Sequence, residues 1–238
     1  MQVTKRNGKL QDVSFDKITR RLRVLCAMEP ACVYIDPIAI SQKVCAQIFN
    51  GVSTSTLDEL AARLCVELVT EDPEYGVLAS RIIISNNQKN TSPSFSETID
   101  MLYNLTDEHG NKIQLIHDDV YEVVTNNKMK LNDVIKYERD FNFDYFGFKT
   151  LEKAYLLRCR GVVVERIQHL LMRVALGIHT SDLDRAIETY NLMSQKYFIH
   201  ATPTLFHAGT SHPALLSCFL MGIEDSVVGI YKCLSDCA

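Results

Sequence analysis

The sequence has no CxxC pair among its 8 cysteines in 238 residues. That removes the paired-thiolate spacing on which structural zinc sites are built, and no metal site is expected. It has no apolar run near the roughly 20 residues that a membrane-spanning helix needs. Runs such as Ile82 to Ile84 and Val162 to Val164 are short. Its start, Met1 to Gly8, is charged and lacks the apolar core of a secretory signal. Neither sign of charge dominates: Lys plus Arg is 25, Asp plus Glu is 29, and the net charge is −4. This argues against a nucleic-acid coat and against a polybasic membrane binder. There is no phosphate loop of the P-loop type, no dinucleotide-binding glycine fingerprint and no serine nucleophile elbow. No internal repeat or low-complexity tract is present. The expectation is a cytoplasmic protein with no nucleic-acid and no membrane partner. In a reducing compartment most of its cysteines would serve as small buried hydrophobes.

What is present is a chain with 47% hydrophobic residues, ordinary for a globular protein and long enough for a sizeable core. Val3, Lys5 and Lys9 to Val13 flank Asn7-Gly8, which predicts a hairpin closed by a type I′ turn. Ser14 then reads as the cap of a helix carrying Ile18, Leu22 and Leu25. Asp36-Pro37 opens a second helix with Ile40, Val44 and Ile48, stopped at Gly51. Thr54 or Ser55 caps a third, and Asp72-Pro73 opens a fourth. A polar break over 91–93 ends this unit. Further helices are expected through Phe95 to Leu102, His117 to Asn126, Gln168 to Leu176, and from Ser181-Asp182 to Tyr197. Asp140 to Phe148 alternates polar and aromatic residues and reads as a strand or extended loop. Glu152 to Leu157 and Val162 to Glu165 read as short strands or turns. Pro203, Gly209 and Pro213 would divide the rest into loops and short buried strands.

Several residues could carry chemistry. Lys5, Arg6, Lys9, Lys17, Arg20 and Arg21 concentrate cations next to a helix N-terminus, an arrangement that suits a triphosphate. A solvated basic face is the plainer reading of the same residues. Cys218 sits in the strand-like run Leu215 to Leu220 and reads either as a buried inert cysteine or as a redox thiol. Cys233 and Cys237 share one helical face, most simply as packing. His200, His207 and His212 flank loop breaks without a metal-ligand spacing.

The wording of the chain then becomes specific. Val3 to Gly8 followed by Val13 to Ile18 resembles the ATP cone that opens many ribonucleotide reductase large subunits. Asp140-Phe141, Tyr145 to Glu152, Glu165-Arg166, Gln168-His169, Met172 to Val174 and Glu188 to Asn191 resemble the eukaryotic and viral branch of that family. Ala201 to Phe206, Ala208 to Thr210 and Ser217 to Leu220 resemble the start of its catalytic barrel. The chain departs from the family pattern at Gln11, usually acidic, and at Ile167, usually proline. It departs also at His207, usually asparagine, and at Thr202 and Leu216, usually serine.

The resemblance implies a mainly α fold with short β elements. An ATP cone over 1–90, hairpin plus four-helix unit, would be followed by a helical linker over 91–150. The beginning of a ten-stranded α/β barrel would occupy 151–238. It implies reduction of ribonucleoside diphosphates to deoxyribonucleoside diphosphates for DNA precursor synthesis, by cysteine-radical chemistry with a dithiol reductant. The allosteric ATP or dATP site would comprise Lys5, Arg6, Gln11, Asp12, Val13, Ser14, Phe15, Asp16, Lys17, Thr54, Asp58 and Lys89. Asp16 and Asp58 would accept hydrogen bonds from base or sugar. Cys218 would be one of two redox thiols, Thr202 and Ser217 would bind substrate, and Asp225, Ser226 and Val227 would begin a specificity-effector site. No cofactor would be held permanently. ATP, dATP and other deoxynucleoside triphosphates would act as effectors, and a metal-containing small subunit would supply the radical. The other partners would be a second large subunit, in a homodimer or higher oligomer, and a thioredoxin- or glutaredoxin-type reductant. The radical cysteine and the partner of Cys218 would lie further along a longer chain, so these residues alone would be inactive. The alternative is a truncated nucleotide-binding regulatory fragment.

Overall fold

A computed structural model of the chain describes residues 1–218 and 220–238. Strand β1 (Gln2–Thr4) pairs antiparallel with β2 (Leu10–Asp12), Gln2 opposite Asp12. The turn between them is not the expected type I′. Lys5 N–H donates to the Lys9 carbonyl at 2.8 Å and Gly8 N–H to the Lys5 carbonyl at 2.9 Å. In this loop only Gly8 has positive φ, 78°. This is a three-residue loop in which glycine takes the left-handed position, an alternative that also matches the strand twist. It places Arg6 within the loop, where its side chain turns inward.

Four helices complete this unit: α1 (Phe15–Cys26), α2 (Pro37–Ala46), α3 (Thr54–Glu67) and α4 (Glu74–Asn90). Asp36 caps α2 by accepting from Ile38 N–H at 2.8 Å, with proline in the first turn. The cap of α3 is Ser53, whose Oγ accepts from Thr56 N–H at 2.9 Å, one residue before the expected Thr54. Helix α2 stops at Ala46, short of Gly51. Asp72 accepts from Glu74 N–H at 2.8 Å and starts α4. Leu22, Ile40, Val44, Ala62, Cys65, Leu78 and Ile82 close the core between these helices.

The remaining described elements are α5 (Phe95–Tyr103), α6 (Asp118–Asn126), α7 (Lys128–Val134), a 3-10 helix over Tyr137–Asn142 and α8 (Tyr145–Ala154). A minimal hairpin of β3 (Arg158–Cys159) and β4 (Val162–Val163) precedes α9 (Ile167–His179), α10 (Leu183–Ser194), α11 (Thr202–His207) and α12 (Val227–Cys237). Every residue of α9 from Ile167 to Leu176 is buried, so this helix is the axis of the second unit.

The 140–148 segment is helical rather than extended. Asp144 Oδ1 accepts from Gly147 N–H at 2.6 Å and nucleates α8, which buries Phe148 and leaves Phe146 exposed. Glu152 to Ala154 belong to that helix. Pro203 does not break the chain; it sits in the first turn of α11, where a missing N–H costs nothing. The apolar run at 215–220 forms no strand among its described residues: Leu216 and Leu220 are 66% and 99% exposed. No neighbouring strand among the described residues offers that run a ladder. Cys218 is likewise exposed. Cys233 is buried and Cys237 exposed. The described fold is thus mainly helical with two short hairpins.

Two contacts hold the second unit together. Glu165 and Arg173 form a fully buried bidentate pair, Nε to Oε1 at 2.7 Å and Nη2 to Oε2 at 3.2 Å. Arg173 Nη1 also donates to the Ala208 carbonyl at 2.7 Å, and Glu165 accepts from Leu157 N–H at 2.8 Å. Nearby, Gly177 of α9 lies so close to the 208–209 backbone that a Cβ there would overlap it.

Candidate functional site

A cavity of about 450 Å³ opens where the hairpin loop meets α1, α3 and the end of α4. The loop contributes Lys5, Arg6 and Asn7. Lys17 and Arg21, one helical turn apart on α1, flank Ile18 and Leu22. Thr54 and Asp58, one turn apart on α3, flank Leu57 and Ala61, and α4 contributes Lys89. One side is therefore apolar and the other cationic. The volume falls in the range of small-molecule sites, roughly 300–1,000 Å³.

The charge in this cavity is not balanced. Asp58, itself buried, is its one carboxylate, against Lys5, Arg6, Lys17, Arg21 and Lys89. Both Asp58 oxygens are already engaged: Oδ2 accepts from Arg6 Nη2 and Arg21 Nη2, each at 2.9 Å, and Oδ1 from Arg21 Nε. Arg6 is further fixed by Asn90 Oδ1 at 2.6 Å and by Asn86 Oδ1. Asp58 thus holds two guanidiniums in place, where the sequence suggested contact with base or sugar. Lys89 has no hydrogen bond or ion pair among the described residues. Burial, and then Arg21, Arg6 and Lys5 nearby, hold its ammonium below the usual lysine range, with Asp58 opposing. Cations gathered at this density, with their one carboxylate saturated, suit a polyanion.

Six of the expected effector residues line the cavity: Lys5, Arg6, Lys17, Thr54, Asp58 and Lys89. Gln11 and Asp12 lie on β2 and are exposed, with Asp12 close to Gln2. Val13 N–H is bonded to the Met1 carbonyl. Ser14 stands at the N-cap of α1 without a side-chain cap bond, followed by exposed Phe15 and Asp16 in the first turn. None of these residues lines the cavity. Arg21 was singled out only as one of the basic residues; its spacing of four from Lys17 is the signal that places it here.

The other expected site residues lie at the far end of the chain. Thr202 opens α11, and its hydroxyl pairs with Tyr155 Oη at 3.0 Å. Thr204 Oγ1 donates to the Leu215 carbonyl at 3.2 Å, drawing the segment before Ser217 and Cys218 toward α11. Ser217 and Cys218 are exposed. Ser226 caps α12 through Gly229 N–H at 3.0 Å, with Asp225 and Val227 exposed beside it. His200, His207 and His212 do not converge, and no cluster of three metal-ligating side chains occurs among the described residues. No helix among them is long and apolar enough to cross a membrane.

Two family models match parts of the chain. Residues 1–90 match the ATP cone domain, and residues 141–213 match the ribonucleotide reductase all-alpha domain. The whole chain is 53% identical over 240 residues to the ribonucleoside-diphosphate reductase large subunit of Arabidopsis thaliana, of which it covers 29%. It is 51% identical over 240 residues to the large subunit of Vaccinia virus (strain Copenhagen), covering 31% of it. Against the large chain 2 of Saccharomyces cerevisiae it is 48% identical over 241 residues, covering 28%. The chain therefore spans less than a third of the length of these relatives. An ATP cone and a reductase all-alpha domain thus follow one another in a chain that matches ribonucleoside-diphosphate reductase large subunits along all of its own residues at about half identity.

Proposed function

We propose that the cavity is an effector site for ATP or dATP in a ribonucleotide reductase large subunit. The observation that carries this reading is the surplus of positive charge: Lys89 and Lys5 face a cavity whose one carboxylate is saturated by Arg6 and Arg21. The triphosphate would meet Lys5, Arg6 and Lys89, and the nucleoside would lie on Ile18, Leu22, Leu57 and Ala61. Hydrogen bonds to charged groups contribute about 1.5–3 kcal/mol each. Calorimetry on the 238-residue chain with ATP is the test. Lys89→Ala is expected to weaken binding by about 10- to 150-fold. Unchanged affinity removes Lys89 from the site, and no binding by the unmodified chain ends the reading.

The reductase activity would be that of a full-length large subunit. In it, Cys218 would be one of two thiols that together give up two electrons and two protons. The thiols close to a disulfide while the ribose 2′-hydroxyl leaves as water, and the carbon gains hydrogen. Thr202 and Ser217 would bind the substrate diphosphate, and Asp225, Ser226 and Val227 would begin the specificity-effector site. A metal-containing small subunit would supply the radical, and a thioredoxin- or glutaredoxin-type protein would reopen the disulfide. The exposed position of Cys218 is compatible with such exchange. In a full-length reductase, Cys218→Ser is expected to abolish repeated turnover with dithiol while leaving ATP binding unchanged. Normal turnover would remove the redox role.

A further inference from the structure

The last turn of α4 points in two directions. Asn86, Lys89 and Asn90 serve the cavity, Lys89 as its wall and the two asparagines through Arg6. Gln88 and Thr91 face the second unit. Gln88 Nε2 donates to Asp140 Oδ2 at 2.7 Å and to the Tyr137 carbonyl at 3.1 Å. Arg166, the residue before α9, caps the end of α4: Nη2 donates to the Gln88 and Thr91 carbonyls at 2.8 and 3.1 Å, and Nε to Thr91 Oγ1 at 3.0 Å. A cation donating to the final carbonyls is the favourable partner of a helix C-terminus. Reciprocally, Asp140 faces the start of α9, where the backbone N–H of Gln168 is turned toward its carboxyl. The two helices are thus joined end to end by Arg166, with Gln88 of α4 bonded to Asp140, next to the proposed phosphate-binding lysine.

This junction is incompletely bonded. Asp140 is 1% exposed, yet its Oδ1 has no hydrogen-bond partner. Gln168 Nε2, directed toward the same carboxyl, and His169 Nδ1 are also unpartnered and buried. The ionisable groups around Asp140 are Arg166 from α9, Tyr137 on its own 3-10 helix and Tyr190 from α10, with Arg139 and His169 beyond them. Helix α4 faces it with uncharged Gln88. Burial pushes the Asp140 carboxyl up to about 6, against the opposing pull of Gln88, Gln168 and Arg166.

We propose that nucleotide in the cavity and a proton on Asp140 are coupled through the last turn of α4. The proposal rests on the effector reading of the cavity. A triphosphate drawing Lys89 inward turns Gln88 away from Asp140 and removes a hydrogen bond that favours the carboxylate. Asp140 then takes up a proton more readily, so its midpoint rises when nucleotide binds. By reciprocity the protonated form binds nucleotide more tightly.

The test is a carboxyl-carbon NMR titration of the 238-residue chain with and without saturating ATP, the Asp140 signal being assigned by its loss in Asp140→Asn. The expected result is an upward shift of about 0.7 pH unit, equal to about fivefold coupling. In parallel, Asp140→Asn, a neutral mimic, should bind ATP about fivefold more tightly at neutral pH by calorimetry. Gln88→Met, which keeps bulk and loses the amide, should bind ATP but show no shift. If calorimetry finds no ATP binding, the effector reading falls and the coupling with it. If ATP binds and the midpoint stays put, only the coupling falls. A shift that survives in Gln88→Met would assign the effect to the field of the nucleotide and overturn the α4 route.

Discussion

The Glu165–Arg173 pair and the Asp58 cluster both join arginine to carboxylate, and they differ in how their charges are counted. In the second unit Arg173 meets Glu165 one to one, with both side chains at 0% exposure and Nη1 directed to the Ala208 carbonyl. In the first unit Arg6 and Arg21 share Asp58, at 28% and 23% side-chain exposure, and Lys5, Lys17 and Lys89 stand around them without a second carboxylate. A balanced, sealed pair fixes backbone segments to one another. An unbalanced, open group leaves attraction to be satisfied from outside. The difference separates scaffold from site, although both use the same side chains.

The comparison can be broken most decisively at Arg173. Arg173→Met leaves Glu165 ionised, buried and without its partner, and is expected to destabilise the fold by about 3–5 kcal/mol in a denaturant titration. A loss below about 1 kcal/mol would mean that the pair is not structural. The smaller expectation concerns the open cluster. Asp58→Asn removes the carboxylate from two partly solvated arginines and should cost about 1 kcal/mol. That cost should shrink as salt is raised from about 0.05 to 0.5 M, because exposed charges are screened. An Asp58→Asn loss as large as that at Arg173, and indifferent to salt, would erase the distinction. The nucleotide and proton titrations described above sharpen it from the ligand side.

Much of the first unit was legible because its signals are local. Asp36-Pro37 caps and opens α2, Ile40 and Val44 repeat at helical spacing, and Asn7-Gly8 marks a turn even though the turn type differs. The cationic wall was readable in part from Lys5, Arg6 and Lys17, close in sequence. Thr54, Asp58 and Lys89 came from resemblance to a family, since nothing local joins α3 and α4 to the hairpin. The pairing of Asp58 with two arginines was hidden for the same reason: its partners lie 52 and 37 residues away. At 140–148, alternating aromatics fit a strand, and the competing signal was one residue, Asp144, whose cap on Gly147 decides for helix. The apolar run 215–220 carries a preference for burial, and no neighbouring strand among the described residues provides it. Glu165 and Arg173 lie in stretches that resemble the family, but nothing in those stretches pairs them; only the fold brings their charges into one dry volume.

The crossing of Gly177 with Gly209 has a mechanical meaning. Where side chains separate two segments, they can slide by changing rotamers. Here backbone rests against backbone, and Gly209 holds a φ of 79° that suits glycine. His117 N–H is tied to the Gly209 carbonyl at 3.1 Å, so the start of α6 is fastened to the same spot. Helix α9, the chain entering α6 and the chain leaving α11 therefore form a rivet. A displacement of α9 at Gly177 meets the other two segments with no side-chain layer between them.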